Sequence, residues 1–206
     1  MRLLISGALV AAVLALQTVL AQPPAAAPAT PATPATPAAT HYVLDPAKSS
    51  LDYTFVQAGA ANKGRFTRFQ VAYDFAPESP AASRLDVTVD INSLDTGDQE
   101  RDDTLRGADL FAVAKFPQAH FAASQIDRTA SGYEAVGKLT IRGVTRDARV
   151  PFSFRTATEN GAAVGYMSGK TSLKRLDYGV GQGDWKATDQ VGNDVIVSFA
   201  LRLTAR

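Results

Sequence analysis

The chain has 206 residues, with 21 basic and 20 acidic side chains, two histidines and no cysteine. This balance of charge argues against a nucleic-acid-binding protein and against strong attraction to anionic membranes. The lack of cysteine excludes disulfides, lipidation at a cysteine and cysteine-based metal sites, and we expect neither a metal ion nor a cofactor.

Residues 1–21 are predicted to be a signal peptide. Arg2 provides a positive charge, Leu3 to Leu16 is an almost continuous apolar run, and Ala21 is a small residue that suits a signal peptidase. We therefore expect cleavage after Ala21 and a periplasmic location. The alternative is an uncleaved anchor, because the apolar run is nearly long enough to span a bilayer.

Residues 22–40 consist almost entirely of proline, alanine and threonine. They contain too few large apolar side chains to offset the entropy that is lost on ordering, so we predict a disordered linker. The folded domain is then residues 41–206, a length that suits one hydrophobic core.

Several segments of this domain alternate between apolar and polar side chains, as β-strands with one buried face do. The alternation is clearest from Leu85 to Ile91, from Ala148 to Phe154 and from Val195 to Leu203. Weaker strands are predicted at residues 51–57, 64–75, 117–126, 133–141 and 164–175. About eight antiparallel strands of this kind close most naturally into a barrel.

A short helical segment is predicted around residues 98–112. Thr96 and Gln99 have the spacing of a capping box, and acidic residues follow where the helix dipole favours negative charge. We expect this helix to lie across one end of the barrel.

The side chains on the predicted inward faces are either large aromatic rings or very small residues. The aromatic ones are Phe55, Phe69, Tyr73, Phe75, Phe152, Phe154 and Phe199. The small ones, which could leave room for a ligand, are Ala72, Ala135, Gly137 and Ala148. Composition alone leaves a packed core and a ligand cavity as equal alternatives.

An ordered series of short motifs resembles the YceI-like family. The central motif comprises Arg101-Asp102, Leu105, Asp109, Phe111, Phe116-Pro117, Phe121 and Ser124. The flanking motifs are Phe55, Gly64-Arg65-Phe66, Phe69, Gly137 to Thr145, Lys174 to Gly181 and Val191 to Val195. Each motif is weak alone, but together they span nearly all of residues 41–206. Gln57 and Ala112 depart from the pattern, because many members have His and Asp there.

This resemblance implies a secreted, lipocalin-like, eight-stranded antiparallel β-barrel that binds a lipid and is not an enzyme. The implied ligand is a polyisoprenoid, a quinone-like compound or a fatty lipid. A membrane b-type cytochrome and a second copy of the chain are candidate partners. The residues predicted to contact the ligand are Phe55, Phe69, Tyr73, Leu85, Val87, Val89, Phe111, Gly137, Leu139, Phe152, Phe154, Arg175, Asp177, Trp185 and Phe199.

Arg175 and Asp177 are two residues apart, which places both on one face of a predicted strand. They are expected to form either a salt bridge at the surface or a polar collar at the cavity mouth, with Trp185 beside them.

Two other functions remain open. One is an enzyme that acts on a bound lipid with Asp102 or Tyr178 as acid or base, and the other is a ligand-free stress or adhesion module. An apolar tunnel would favour a carrier, a pocket with a strongly shifted carboxylate would favour an enzyme, and a filled barrel would favour the third function.

Overall fold

The computed structural model describes residues 39–206, which form an antiparallel β-barrel with one short α-helix. The predicted signal peptide, and the predicted linker up to residue 38, lie outside the described residues. The strands are β1 (Thr40–Leu44), β2 (Ser50–Gln57), β3 (Ala60–Phe66), β4 (Phe69–Phe75), β5 (Arg84–Asp90), β6 (Leu94–Asp95), β7 (Gln118–Thr129), β8 (Gly132–Ile141), β9 (Val144–Glu159), β10 (Ala162–Lys174) and β11 (Asp194–Ala205). The helix is α1 (Gln99–Arg106).

These segments make an eight-stranded barrel because three of its strands are each broken in two. β11 pairs with β1 through residues 203–205 and with β2 through residues 196–200, so β1 and β2 together act as one strand. β3 and β4, and likewise β5 and β6, continue each other in the same way around the barrel. The pairing of β1 with β11 closes the sheet into a barrel. The predicted fold is confirmed.

The inward side chains follow the predicted alternation. In β4, for example, Val71, Tyr73 and Phe75 are buried, whereas Ala72 and Asp74 between them are only half-buried. The predicted strand at residues 64–75 is interrupted at Thr67 and Arg68, where the backbone bends. Among the residues that the structure describes, no helix is long and apolar enough to span a membrane.

The helix is shorter than predicted and begins at a different cap. Asp98, not Thr96, is the N-cap residue, and its carboxylate accepts a hydrogen bond from the Arg101 N–H at 3.1 Å. The helix ends before Gly107, which has extended backbone angles, and turns follow as far as Lys115. The prediction of helix as far as residue 112 is therefore wrong.

One end of the barrel is closed by six aromatic rings, which we call the aromatic floor. They are Tyr42, Tyr73, Phe75, Tyr133, Phe152 and Phe154. Neighbouring rings have centroids 4.8–6.0 Å apart, mostly in the edge-to-face arrangement that aromatic pairs prefer. The floor joins residues from β1, β4, β8 and β9, so it ties different sides of the barrel together.

Candidate functional site

The barrel interior between the aromatic floor and the opposite end holds a cavity of about 450 Å³. Small-molecule sites are typically about 300–1,000 Å³ in volume, so this cavity has the size of a ligand pocket. Its wall is mainly aliphatic and aromatic, and exposed residues of the helical region, including Asp98, Glu100 and Thr104, mark its open end. Of the two alternatives, a packed core and a cavity, the structure therefore shows the cavity.

Ten of the predicted ligand-contacting residues line this cavity. They are Phe55, Phe69, Leu85, Val87, Val89, Phe111, Leu139, Arg175, Trp185 and Phe199. They come from five strands and from the loops at the open end, which is why the wall surrounds the cavity on all sides.

The other five predicted residues do not line the cavity. Tyr73, Phe152 and Phe154 belong to the aromatic floor, where they pack against other rings. Gly137 and Asp177 belong neither to the cavity wall nor to the aromatic floor.

Gly137 does not provide space for a ligand. A Cβ atom at this position would lie 2.2 Å from the carbonyl oxygen of Ala122 and 2.6 Å from the Cα atom of Ala123, both in the backbone of β7. The two strands approach closely here because β7 has a bulge between Ala123 and Gln125. Glycine is therefore needed for contact between strands, and the prediction that it opens a tunnel is wrong.

The other small residues that were expected to leave space do not line the cavity either. Ala135 is fully buried in the core beside the floor, and Ala148 packs against the same core. Ala72 alternates with the inward residues of β4 and faces outward. The cavity instead exists because the large side chains of its wall leave its centre unfilled.

Arg175 and Asp177 do not share a strand face, because β10 ends at Lys174 and a 3-10 turn follows. Arg175 is 6% exposed, and its guanidinium donates four hydrogen bonds to backbone carbonyls at 2.8–3.3 Å. Asp177 is exposed, and its backbone carbonyl accepts a hydrogen bond from Arg146. The predicted pair is wrong: Arg175 holds the loop at residues 180–192 in place, and Asp177 is not part of the cavity.

The open end is bordered by α1, by the end of β2 and by the loop that contains Trp185. Arg101 of α1 lines it, and its guanidinium lies 3.6 Å from the Asp98 carboxylate. Gln57 at the end of β2 lines it as well, whereas Ala112 does not. The polar side chains of the cavity are thus concentrated at its mouth, and its depth is apolar.

Tyr53 is a polar residue within the wall. Its side chain packs over Gly64, where a Cβ atom would lie 2.4 Å from the tyrosine hydroxyl. The hydroxyl is buried and has no hydrogen-bond partner among residues 39–206. Burial raises the pKa of this hydroxyl well above its usual value of 10.0, and the carboxylate of Asp102 adds to the rise. Tyr53 is therefore a neutral phenol at any physiological pH.

Sequence reasoning missed several wall residues, although a signal for them was present. Tyr53, Val71 and Leu201 each line the cavity and lie two residues from a predicted contact, at Phe55, Phe69 and Phe199 respectively. Because strand residues two apart share a face, the alternation could have identified them.

Solved structures with the same fold include relatives of moderate sequence identity. The crystal structure of BcnA from Burkholderia cenocepacia is 34% identical and has a TM-score of 0.70, and the match covers 77% of this chain and 98% of BcnA. The Campylobacter jejuni YceI protein is 25% identical with a TM-score of 0.64, over 71% of this chain and 86% of that one. A polyisoprenoid-binding domain from Saccharophagus degradans shares the fold at 19% identity and a TM-score of 0.58, over 80% of this chain and 98% of that domain.

Curated relatives and a family model agree with this similarity. UPF0312 proteins of Yersinia pestis and Yersinia enterocolitica are 38% identical over 120 residues, or 57% of this chain. The chain matches 62% of the length of these curated relatives. The model of the YceI-like domain matches residues 42–203, which is almost the whole of the barrel described above. The chain therefore belongs to the YceI-like family.

Proposed function

We propose that this protein binds a lipid with a long apolar chain inside the barrel and carries it through the periplasm. The ligand would be a polyisoprenoid, a quinone-like compound or a fatty lipid. The observation that carries the proposal is the apolar cavity of about 450 Å³, which is closed by aromatic rings at one end and open among polar side chains at the other. This arrangement suits an amphiphile whose tail enters first and whose polar head stays at the mouth.

The energetics of such a site depend on the tail. Each methylene that leaves water for an apolar environment gains about 0.8 kcal/mol. A chain of several isoprene units therefore needs no strong polar contact to be held, which agrees with the scarcity of polar side chains in the depth of the cavity. The polyisoprenoid-binding domain of Saccharophagus degradans, which has the same fold, supports this choice of ligand class.

The proposed compartment and partners rest on sequence features and on the family. Export depends on the apolar run at residues 3–16 and on cleavage after Ala21. If the cargo is a quinone or its precursor, the proposed site of exchange is a membrane b-type cytochrome. Pairing of two copies of the chain would be a further part of this proposal.

The geometry favours binding over catalysis. The carboxylate of Asp102 accepts hydrogen bonds from the Thr96 N–H at 2.9 Å and from the Thr96 hydroxyl at 2.7 Å, so it stabilises the start of the helix. Burial raises the pKa of Tyr178, which makes its hydroxyl a weaker acid and leaves less phenolate to act as a base near neutral pH. The hydrogen bonds of Asp102 support a structural role over an enzymatic one, and the unfilled barrel disfavours a ligand-free module.

A titration of lipid-stripped protein with a fluorescent polyprenyl probe and a fluorescent fatty-acid probe tests the proposal. Val87 lies on the cavity wall, and Thr88 follows it on the outward face of β5. We expect micromolar or tighter binding to the parent protein, at least tenfold weaker binding to Val87→Trp, and parental binding to Thr88→Trp. No binding to the parent, or equal binding to the two variants, would refute a ligand in the barrel.

A further inference from the structure

The cavity ends at the same kind of step on three strands of the barrel. Its deepest wall residues include Val71 on β4, Val150 on β9 and Leu201 on β11. Two residues further along the same faces are Tyr73, Phe152 and Leu203, which are at most 4% exposed and do not line the cavity. The boundary therefore runs between one layer of inward side chains and the next on three separate strands.

The layer beyond this boundary is closed by rings that support each other. The Tyr73 ring lies 6.0 Å from that of Phe152 and 5.0 Å from that of Phe154, both at nearly right angles. Phe75 lies behind them, 4.8 Å from Phe154 and 5.7 Å from Tyr133. A lipid tail that reached this layer would have to displace several interlocked rings at once, and close-packed interiors resist such displacement.

We infer that the aromatic floor sets the maximum length of the lipid chain that this protein holds. The inference rests on the proposed function, because it concerns the same cavity. A tail that enters from the polar mouth is buried until its end meets Tyr73 and Phe152. Carbons beyond that length stay at the mouth in water and add nothing to affinity. Each buried methylene, by contrast, increases the association constant roughly fourfold.

The size of the effect follows from the strand geometry. Two residues of an antiparallel strand span about 6.8 Å, which is longer than one isoprene unit. Removal of the Phe152 ring would open part of one such layer, so the limit should move by about one isoprene unit. Addition of a ring at Val150, one layer nearer the mouth, should shorten the limit by a similar amount.

The test is a series of prenyl alcohols of increasing length, from geraniol through farnesol and geranylgeraniol to longer chains, which displace a fluorescent probe from lipid-stripped full-length protein. For the parent we expect affinity to rise with chain length and then to reach a plateau. Phe152→Ala should move the plateau to a longer chain and bind the first alcohol beyond the parental limit at least tenfold more tightly than the parent does. Val150→Phe should move it to a shorter chain.

Phe69→Ala is the matched control. It removes the same ring from the side wall of the cavity, so it should change the affinity for all chain lengths together and leave the plateau where it is. Thermal melts establish which variants are folded, and Phe152→Leu replaces Phe152→Ala if the latter does not melt cooperatively.

An unchanged plateau in the folded Phe152 and Val150 variants would overturn the length limit while leaving lipid binding intact. The length limit would also be overturned if Phe69→Ala moved the plateau as far as the Phe152 variant does. Failure of the parent to bind any of the alcohols or the probe would instead refute the proposed function, and the length limit with it.

Discussion

Replacement of Gly137 by alanine should destabilise the barrel, although Gly137 faces its interior. The added Cβ atom would lie 2.2 Å from the Ala122 carbonyl oxygen, more than 1 Å inside an ordinary contact distance of about 3.4 Å. It would also lie 2.6 Å from the Cα atom of Ala123. Both atoms belong to the backbone of a neighbouring strand in a closed barrel, so neither can move aside as the end of a flexible side chain could.

Overpacking typically costs about 1–3 kcal/mol, and we expect the upper end of this range because the clash is with backbone atoms. A Gly→Ala change gains about 0.4–1 kcal/mol through the unfolded chain, which leaves a net loss of about 2–2.6 kcal/mol. For a domain of this size each kcal/mol corresponds to about 2–4 °C, so we expect thermal melts to show a Tm lowered by about 4–10 °C. Gly192→Ala is the control, because its Cβ atom would lie 3.4 Å from Val56, an ordinary contact. A Gly137→Ala protein that melts at or above the temperature of the parent would refute the close approach of the two strands.

The remaining predictions concern hydrogen bonds and charge. Tyr53→Phe should stabilise the protein by about 1–3 kcal/mol, because it removes a buried hydroxyl that has no partner in the part of the chain that the structure describes. Tyr166→Phe should instead lower the Tm, because the Tyr166 hydroxyl donates a hydrogen bond to Glu159. A destabilised Tyr53→Phe protein would contradict this reasoning. Hydrogen bonds from Tyr166 and Arg202 hold the pKa of Glu159 below its usual 4.5, so its contribution to stability is complete above pH 4.5 and is lost as the pH falls through the lowered value. Melts from pH 7 to pH 3 should show the Tm difference between the parent and Glu159→Gln shrinking at acid pH, and a constant difference would be inconsistent with the lowered pKa. Arg175→Lys should speed hydrogen exchange of the amides at residues 180–192, because lysine cannot donate hydrogen bonds to all four carbonyls. Unchanged protection of these amides would mean that Arg175 does not hold this loop.

The strands could be predicted because each has one buried face, and apolar and polar side chains therefore alternate along its sequence. The start of α1 could not be predicted in this way, because Thr96 and Asp98 are both good N-cap residues and their local sequences do not distinguish them. The turns that follow the helix are fixed by distant contacts: the Asp109 carbonyl accepts hydrogen bonds from the N–H groups of Gly181 and Gln182, at 3.0 and 2.8 Å. Such contacts leave no periodic signal in the sequence.

The cavity wall could be predicted only in part, because alternation identifies which side chains point inward but not how deep each one lies. Tyr73 and Phe55 therefore looked equivalent, although one belongs to the floor and the other to the wall. Gly137 was misread because a small residue on an inward face can serve either a ligand or a neighbouring backbone. The error at Arg175 came from extending strand alternation past Lys174, where the strand ends.

The most direct test of the central claim is native mass spectrometry of the protein purified from the cells that naturally produce it, followed by organic extraction and identification of whatever was bound. We predict an added mass that is removed by extraction with organic solvent, that corresponds to one lipid with an isoprenoid or fatty chain, and that is lost in Val87→Trp. A protein that is detected at the mass of its polypeptide alone, and that also fails to take up a lipid when incubated with a lipid extract of the same cells, would contradict the account.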